Sequence, residues 1–517
     1  MRTLRYSRSS FILALVFSCI LTVHRLMHFH GARVMLLLFF GGCLAAAFAG
    51  LLLMFNAADV LSDRRDLRRL PGGRRLWSLL YFTILLAVWG YCFFTCCPGN
   101  MLYDTGTSIL WSLGIDRSNV NNPWFQNLLF GGVYRLGRLL GDPNRGVALY
   151  CALQALGYAA LISRMAGRLE GSRAASMAAV LLYALIPVFP IYAMTMGKDS
   201  NFALALLGYV CLTMELTEDP GQFMSRPGKP LLLAGTVVLA GLLRNHAAWP
   251  LLAALGCCFL FVWKERRGRA YLLGLCAVVI LCSNLPGLLG IPRGEVREAL
   301  SVPLQQTGYY VTKYADQVTP EEAEKLSAVI PLEALKKYDR DIADPIKKEF
   351  KSDPTREELR SYFSAWLSQL KKHPDAYLKA FYLHTDGYYT PGVDKSAVKR
   401  RITVGFGVNK QVYQETELTK NANPRLKYLE RKDKAAMDRP VSALLSGIGA
   451  YAWLLAIAVA RLFQKKRYTE LICFAAPVTV FVGCLFSPVN GYYRYAFPMI
   501  LCVPLLLIYA MQLPEKK

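Results

Sequence analysis

About a dozen apolar stretches of roughly 14 to 24 residues run through this chain of 517 residues, each near the length that crosses a ~30 Å hydrocarbon layer once tilt and neighbours are allowed for. They fall at roughly 10–27, 33–56, 76–97, 147–163, 174–193, 200–216, 230–243, 247–263, 270–289, 442–462, 468–486 and 495–512. In a chain that is 54% hydrophobic, this repetition predicts an all-α polytopic membrane protein with about 12 transmembrane helices. The first stretch follows Arg2, Arg5 and Arg8. No small-residue cleavage site comes after it and a second span begins almost at once, so it is expected to be an uncleaved first helix rather than a signal peptide.

A formal net charge of +24 raises the question of nucleic acid, and the position of the charge answers it. Between Ile291 and Val441 stand 27 of the 60 lysines and arginines and 22 of the 36 acidic residues. The excess therefore belongs to short loops between spans: 62–75 (Arg64, Arg65, Arg68, Arg69, Arg74, Arg75), 164–173, 264–269 and 465–467. Basic loops of this kind mark the cytoplasmic side, so no nucleic-acid partner is expected. All 14 cysteines lie in or beside apolar segments and none in 291–441, which leaves that block without a disulfide framework. The vicinal pairs Cys96-Cys97 and Cys257-Cys258 read as small hydrophobes packed in a bundle.

Threading twelve spans from a cytoplasmic N-terminus puts every basic loop inside and returns Glu515-Lys516-Lys517 to the cytoplasm. The count works only if residues 103–141 do not cross, so Trp124 to Leu140 is expected to be a helical re-entrant or interfacial segment. Arg25 and Arg33 fall in the first outer loop and are expected to snorkel. The resulting plan has an N-terminal hairpin with a basic cytoplasmic loop (1–75), a membrane core (76–290) with an outer loop at 98–146, an extracytoplasmic and mainly helical domain (291–441), and C-terminal membrane helices (442–517). The protein is placed in the cell membrane, with the lipid bilayer as a partner and both termini cytoplasmic.

With that topology the outer face collects Asp104, Asp116, Lys198, Asp199, Arg244, Asn245, His246 and Arg494. Ionisable groups at membrane depth are costly and point to function. Asp104 follows the Pro98-Gly99-Asn100 break, and the plain alternative is a cap for a helix over Thr105–Leu113; beside a cationic cluster, its carboxylate suits a general base or a metal ligand. In Asn121-Asn122-Pro123-Trp124 a proline-fixed turn and an interfacial Trp124 explain the pattern as readily as ligand contact by Asn122 and Trp124. Met194-Thr195-Met196-Gly197-Lys198-Asp199-Ser200 is either a polar turn with a Lys198-Asp199 ion pair or a phosphate subsite, where Lys198 supplies charge and Asp199 caps the next helix. Leu243-Arg244-Asn245-His246 breaks an apolar run too long for one crossing. An arginine at such broken ends suits bidentate anion binding, with His246 as a hydrogen-bonding neighbour. His24, His28 and His30 show helical spacing and a weak case for a metal. In Asn490-Gly491-Tyr492-Tyr493-Arg494-Tyr495 an aromatic belt accounts for the tyrosines, and Arg494 is a second phosphate ligand.

Taken in order, the outward Asp104, the Asn122-Pro123 element, the Thr-Met-Gly-Lys-Asp turn, the Arg244-Asn245 break and the Asn-Gly-Tyr-Tyr-Arg-Tyr segment resemble polytopic glycosyltransferases of the GT-C class, particularly bacterial relatives of protein O-mannosyltransferases. The resemblance spans most of 76–512 and rests on the order of the motifs. It implies a GT-C-like bundle that transfers a sugar from a polyprenyl-phosphate donor, usually with inversion, to a glycan, lipid or protein acceptor on the outer face. It implies that Asp104 acts as base or metal ligand, and that Lys198, Arg244 and Arg494 contact the lipid phosphate. The chain departs from the pattern at Asn122, where many relatives carry histidine. Thr105 also follows Asp104 where an Asp-Glu pair would stand, so Asp104 is the one metal candidate and a divalent ion is optional.

A glycosyl phosphate carries its own leaving group, so cations and one carboxylate suffice for the chemistry. No Walker A or Gly-x-Gly-x-x-Gly element is expected or found in the loops. In the 291–441 block, apolar periodicity over 321–335 and 357–370 predicts a small helical domain, with acceptor recognition or structural cover as its role. Within it, His384-Thr385-Asp386-Gly387-Tyr388-Tyr389 suits a saccharide or a turn, and 301–306 is expected close to the membrane. Two rival classes remain: a flippase for a lipid-linked saccharide, which calls for paired repeats and midplane polar groups, and a non-catalytic membrane assembly protein.

Overall fold

The computed structural model describes residues 8–28, 33–63, 73–116, 122–244, 248–261, 266–291, 294–391, 410–419, 431 and 447–515. Three long helices open it: α1 (Arg8–His28), α2 (Arg33–Asp63) and α3 (Arg74–Cys96). A two-residue strand β1 (Asn100–Met101) leads into α4 (Tyr103–Leu113), followed by α5 (Trp124–Leu139), α6 (Pro143–Arg168), α7 (Arg173–Leu185) and α8 (Val188–Ala193). After a second short strand β2 (Thr195–Met196) come α9 (Lys198–Glu218), α10 (Pro220–Ser225), α11 (Gly228–Leu243), α12 (Ala248–Phe261) and α13 (Arg266–Leu288).

The chain is an all-α membrane protein. Among the described residues α1, α2, α3, α6, α9, α13 and, at the C-terminal end, α23 (Tyr493–Gln512) are the seven helices long and apolar enough to cross a membrane. Shorter apolar helices fall at Arg173–Leu185, Gly228–Leu243, Ala248–Phe259, Ile448–Gln464 and Thr469–Cys484. α5, expected to be interfacial, carries Gln126, Asn127, Arg135 and Arg138 and is in neither set.

Burial sorts these helices. α9 is apolar over its middle turns and has no exposed face there: its residues from Asp199 to Leu216 are buried save Leu204, as befits a helix in the middle of a bundle. α23 packs beside it, with Tyr183 of α7 donating to the Leu501 carbonyl (2.6 Å) and Phe497 stacked on Tyr192 at 4.3 Å. α1 and α2 pair with each other and leave Ile12, Leu37, Leu38 and Leu53 exposed. α5 and α6 form a tight hairpin because glycines meet there: a Cβ on Gly146 would lie 2.3 Å from the Val133 carbonyl oxygen, and one on Gly137 would lie 2.5 Å from that of Pro143.

Beyond α13, residues 301–385 build a helical domain with a core of its own. α14 (Ser301–Lys313), α15 (Pro320–Ser327), α16 (Leu332–Leu335), α17 (Asp344–Lys347), α18 (Arg356–Lys372) and α19 (Pro374–Thr385) enclose Leu304, Val311, Leu326, Ile330, Leu335, Ile346, Phe350 and Tyr362. Thr319 with Glu322 and Thr355 with Glu358 form capping boxes that start α15 and α18. One detail differs from expectation. Pro331 splits the 321–335 periodicity into α15 and α16, because its ring cannot continue a helix. Residues 301–306 form the first turns of α14, with Leu304 and Gln305 in the domain's interior. A short α20 (Lys410–Glu415) precedes the shorter apolar helices α21 (Ile448–Gln464) and α22 (Ile472–Cys484), and then α23.

Candidate functional site

The two loops that carry Asp104 and the Lys198-Asp199 pair are joined before any charged group is considered. β1 runs parallel to β2, with Asn100 opposite Thr195 and Met101 opposite Met196. Gly99 turns the chain into β1 with φ of +130°, and a Cβ there would lie 2.4 Å from the Cys151 sulfur. Thr105 donates its hydroxyl to the Met196 carbonyl, and the buried Gln154 amide of α6 donates to the carbonyls of Ala193 (2.8 Å) and Thr195 (3.0 Å). The Asn100 backbone N–H donates to the Met194 carbonyl at 3.0 Å.

Asp104 does not cap α4. The helix starts two residues earlier than expected, at Tyr103, and it is Thr105 whose Oγ1 accepts from the Leu102 N–H (3.3 Å). Asp199 likewise lies inside the first turn of α9, with Gly197 at the cap. Both carboxylates are therefore free to project sideways, and they do so into one cluster. Lys198 Nζ lies 2.9 Å from Asp104 Oδ2 and 2.9 Å from Asn122 Oδ1. Arg494 reaches both carboxylates, through Nη2 to Asp104 and through Nε to Asp199. Arg244 Nη1 takes the other oxygen of Asp199.

The result is a chain of alternating charge: Lys198, Asp104, Arg494, Asp199, Arg244. Lys198 and Asp199, neighbours in sequence, pair with different partners rather than with each other. Aromatic faces wall the guanidiniums. Phe202 and Tyr495 lie 5.6 and 5.7 Å from Arg244, and Tyr495 lies 6.0 Å from Arg494, so Tyr495 packs against the ion cluster itself. The Asp199 side chain is 0% exposed and that of Asp104 24% exposed. Burial alone would raise the Asp104 pKa, but the charges of Arg494 and Lys198 and their hydrogen bonds prevail and hold it well below the ordinary carboxylate range.

Of the other expected site residues, Asn122 joins the cluster by its bond to Lys198 and by donating to the Asp104 backbone carbonyl (3.2 Å). Trp124 opens α5 beside it, edge-to-face with Phe125 at 5.9 Å. Asp116 lies past the left-handed Gly114, at the far end of α4 from Asp104. Asn245 and His246 lie outside the described residues, as do Asn121 and His30. His24 belongs to a different contact: its ring sits 2.9 Å from the Tyr382 hydroxyl and 3.9 Å from Asp386. Among the described residues no group of three or more His, Cys, Asp or Glu is placed to hold a metal. Asp104, the one metal candidate, is a poor fit because an ammonium and a guanidinium stand where a divalent cation would have to approach.

His384 to Tyr389 is built into a joint between the helical domain and the last loop. His384 Nε2 meets the Ser487 carbonyl at 2.9 Å, the Tyr388 hydroxyl donates to the Val489 carbonyl (2.7 Å), and Asn490 Nδ2 donates to Asp386 Oδ1 (2.7 Å). These groups spend their hydrogen-bonding capacity holding the segment that leads into Arg494, which accounts for their polarity without a saccharide.

The opposite end of α9 gathers basic side chains. Arg164 (2.6 Å), Arg168 (3.2 Å) and Lys229 (2.9 Å) surround the buried Glu215, and Arg74 pairs with Glu170 at 2.5 Å. At the far end of α23, Lys465 donates to the Met511 carbonyl (2.9 Å), while Arg461 pairs with Asp59. Thus, among the described residues, the cluster of Asp104 to Arg494 and these basic side chains occupy opposite ends of α9 and α23.

A protein-family model described as a family of unknown function, DUF6020, matches residues 117–517. The chain belongs to the DUF6020 family. Within the DUF6020 segment fall Asn122, Lys198, Asp199, Arg244 and Arg494, while Asp104 precedes it. No curated protein and no solved structure matches the chain. In this DUF6020 chain the residues that the sequence alone did not single out are Gln154, Thr105, Phe202 and Tyr495 as parts of the site. Gln154 carried a readable signal, a lone amide in the otherwise apolar run of α6, because such a group is buried only where it finds partners.

Proposed function

We propose that this DUF6020 protein is a membrane glycosyltransferase that moves a sugar from a polyprenyl-phosphate donor to an envelope glycan, lipid or protein acceptor on the extracytoplasmic face. The observation that carries the reading is the convergence of Lys198, Arg244 and Arg494 around Asp104 and Asp199 at one end of the bundle. Twelve crossings with both termini in the cytoplasm belong to this proposal, because they put the basic loops inside and this cluster outside.

The chemistry requires little more than these groups. The acceptor hydroxyl gives its proton to Asp104 as its oxygen bonds the anomeric carbon; the bond from that carbon to the phosphate oxygen breaks, and the electron pair leaves on the phosphate. Lys198, Arg494 and Arg244 stabilise the charge that collects there. Their restriction to one end of the helices favours an enzyme over a flippase, which must offer its site to both sides.

The test is turnover of a panel of radiolabelled polyprenyl-phosphate sugars by the purified protein, with Asp104→Asn and Arg244→Ala as controls. Sugar release by the wild type and a loss of at least about a hundredfold in each variant are expected. Equal turnover by all three overturns the site assignment, and donor binding without sugar release favours the flippase.

A further inference from the structure

The cations assigned to the donor are already engaged, and that decides where the donor's phosphate goes. Three cations and two carboxylates leave the cluster close to neutral, and an incoming phosphate gains little from a guanidinium whose charge is already answered. One of the carboxylates must therefore move.

The two are not equivalent. Asp199 is 0% exposed and both its oxygens are held by arginines, so moving it would strand two guanidiniums in the interior. Asp104 is 24% exposed, and both contacts of its carboxylate run through Oδ2, to Lys198 and Arg494. Its backbone stays in place when the side chain turns, because Asn122 holds the Asp104 carbonyl and Thr105 holds the Met196 carbonyl. The cations it leaves also stay in place: Lys198 keeps Asn122 at 2.9 Å and Arg494 keeps Asp199.

We propose that the donor's phosphate sits where the Asp104 carboxylate now lies, between the Lys198 ammonium and the Arg494 guanidinium, and enters by displacing it. The proposal rests on the glycosyltransferase reading and adds its order of events. With the carboxylate swung out, Lys198, Arg494 and Arg244 face only Asp199, a net charge of two that matches a phosphate monoester leaving as product. The displaced carboxylate, relieved of its two cations, is a stronger base for the acceptor proton. Once it gives that proton to solvent, it competes for the cations again and drives the phosphate out.

The test is equilibrium binding of inorganic phosphate and of geranyl phosphate to the purified full-length protein, to Asp104→Asn, to Asp104→Ser and to Lys198→Ala, with thermal unfolding to identify folded variants. Removing the competing charge should tighten both probes about tenfold in either Asp104 variant, and removing Lys198 should weaken them about tenfold. Geranyl phosphate should bind more tightly than inorganic phosphate, because its prenyl tail adds apolar contact. Unchanged or weaker binding in the Asp104 variants, with Lys198→Ala weakened, removes the displacement but leaves the phosphate site. Absence of binding to every form overturns the displacement and the glycosyltransferase reading together. Equal affinity for the two probes removes the lipid-borne source.

Discussion

Asp199 and Asp104 have the same chemistry and different burdens. Asp199 is enclosed and answers two guanidiniums, so Asp199→Ala leaves Arg244 and Arg494 without their shared counter-ion inside the bundle, a loss of about 3–5 kcal/mol. Its thermal unfolding in detergent should fall well below that of Asp104→Asn, whose cations keep Asn122 and Asp199 as partners; equal unfolding temperatures would remove the distinction. The Asp104 pKa is depressed in the folded protein. A group of this kind contributes stability above its unfolded pKa, about 3.9, and loses it as pH falls through the folded value. In Lys198→Met one of the two depressing charges is gone, so the acid-induced loss should be smaller than in wild type and complete at a higher pH, as followed by unfolding across an acid pH series. At this scale the five charged residues were legible because each interrupts or borders an apolar run. Their pairing was not. Adjacent residues on a helix project about 100° apart, which is why Lys198 and Asp199 serve different partners, and no spacing rule reveals that Arg494 lies between two carboxylates some 300 and 400 positions upstream.

The elements owe their arrangement to short contacts that leave faint marks in sequence. β1 and β2 are two residues each, too short for any alternating pattern, yet they bring the Asp104 and Lys198 loops together. Gln154 backs them from α6. Replacing it by Leu deprives the Ala193 and Thr195 carbonyls of their side-chain donor, a cost of about 1–3 kcal/mol. Hydrogen exchange should then quicken at residues 100–101 and 195–196 in Gln154→Leu and stay unchanged in α13; uniform exchange would show that the strands hold without it. Helix breaks were unevenly readable: Arg244 ends α11 as apolar length required, whereas the expected span 174–193 is divided at Pro187 into α7 and α8. The α5–α6 hairpin was half visible. Charge bookkeeping kept α5 from being a crossing, but the glycine contacts that fold it onto α6 depend on backbone proximity and show no periodicity.

On the scale of the whole molecule, the helical domain is fastened to the loop that ends in Arg494, and the fastening contains a titratable group. Ile342 bridges Val489, the Ala343 N–H donates to the Pro488 carbonyl (2.8 Å), and Gly387 and Gly491 meet so closely that a Cβ on Gly387 would lie 2.9 Å from the Gly491 Cα. Partners about 100 residues or more apart carry no local signature, so a segment that resembles a sugar-binding turn is a docking joint. His384 faces a carbonyl oxygen on each ring nitrogen, Ser487 at 2.9 Å and Arg340 at 3.3 Å, and a neutral imidazole donates to only one. Burial pushes its pKa down, against the opposing pull of the two carbonyls and of Asp341 and Asp339. With the folded pKa below the ordinary value of about 6.5, its contribution is present above that value and is lost as pH falls through the folded one. Acidification from neutral pH should therefore loosen the joint in wild type. In His384→Gln, whose amide has no charge to gain, protease sensitivity of the 487–492 loop should change little over the same range. Asn490→Ala removes the bonds to Asp386, to the Leu383 carbonyl (3.0 Å) and from the Gly387 N–H (3.0 Å), and it should leave that loop sensitive at every pH. If the loop in wild type resists protease equally at neutral and acid pH, His384 is not the group that sets the strength of the joint, and the path from the helical domain to Arg494 carries no proton dependence.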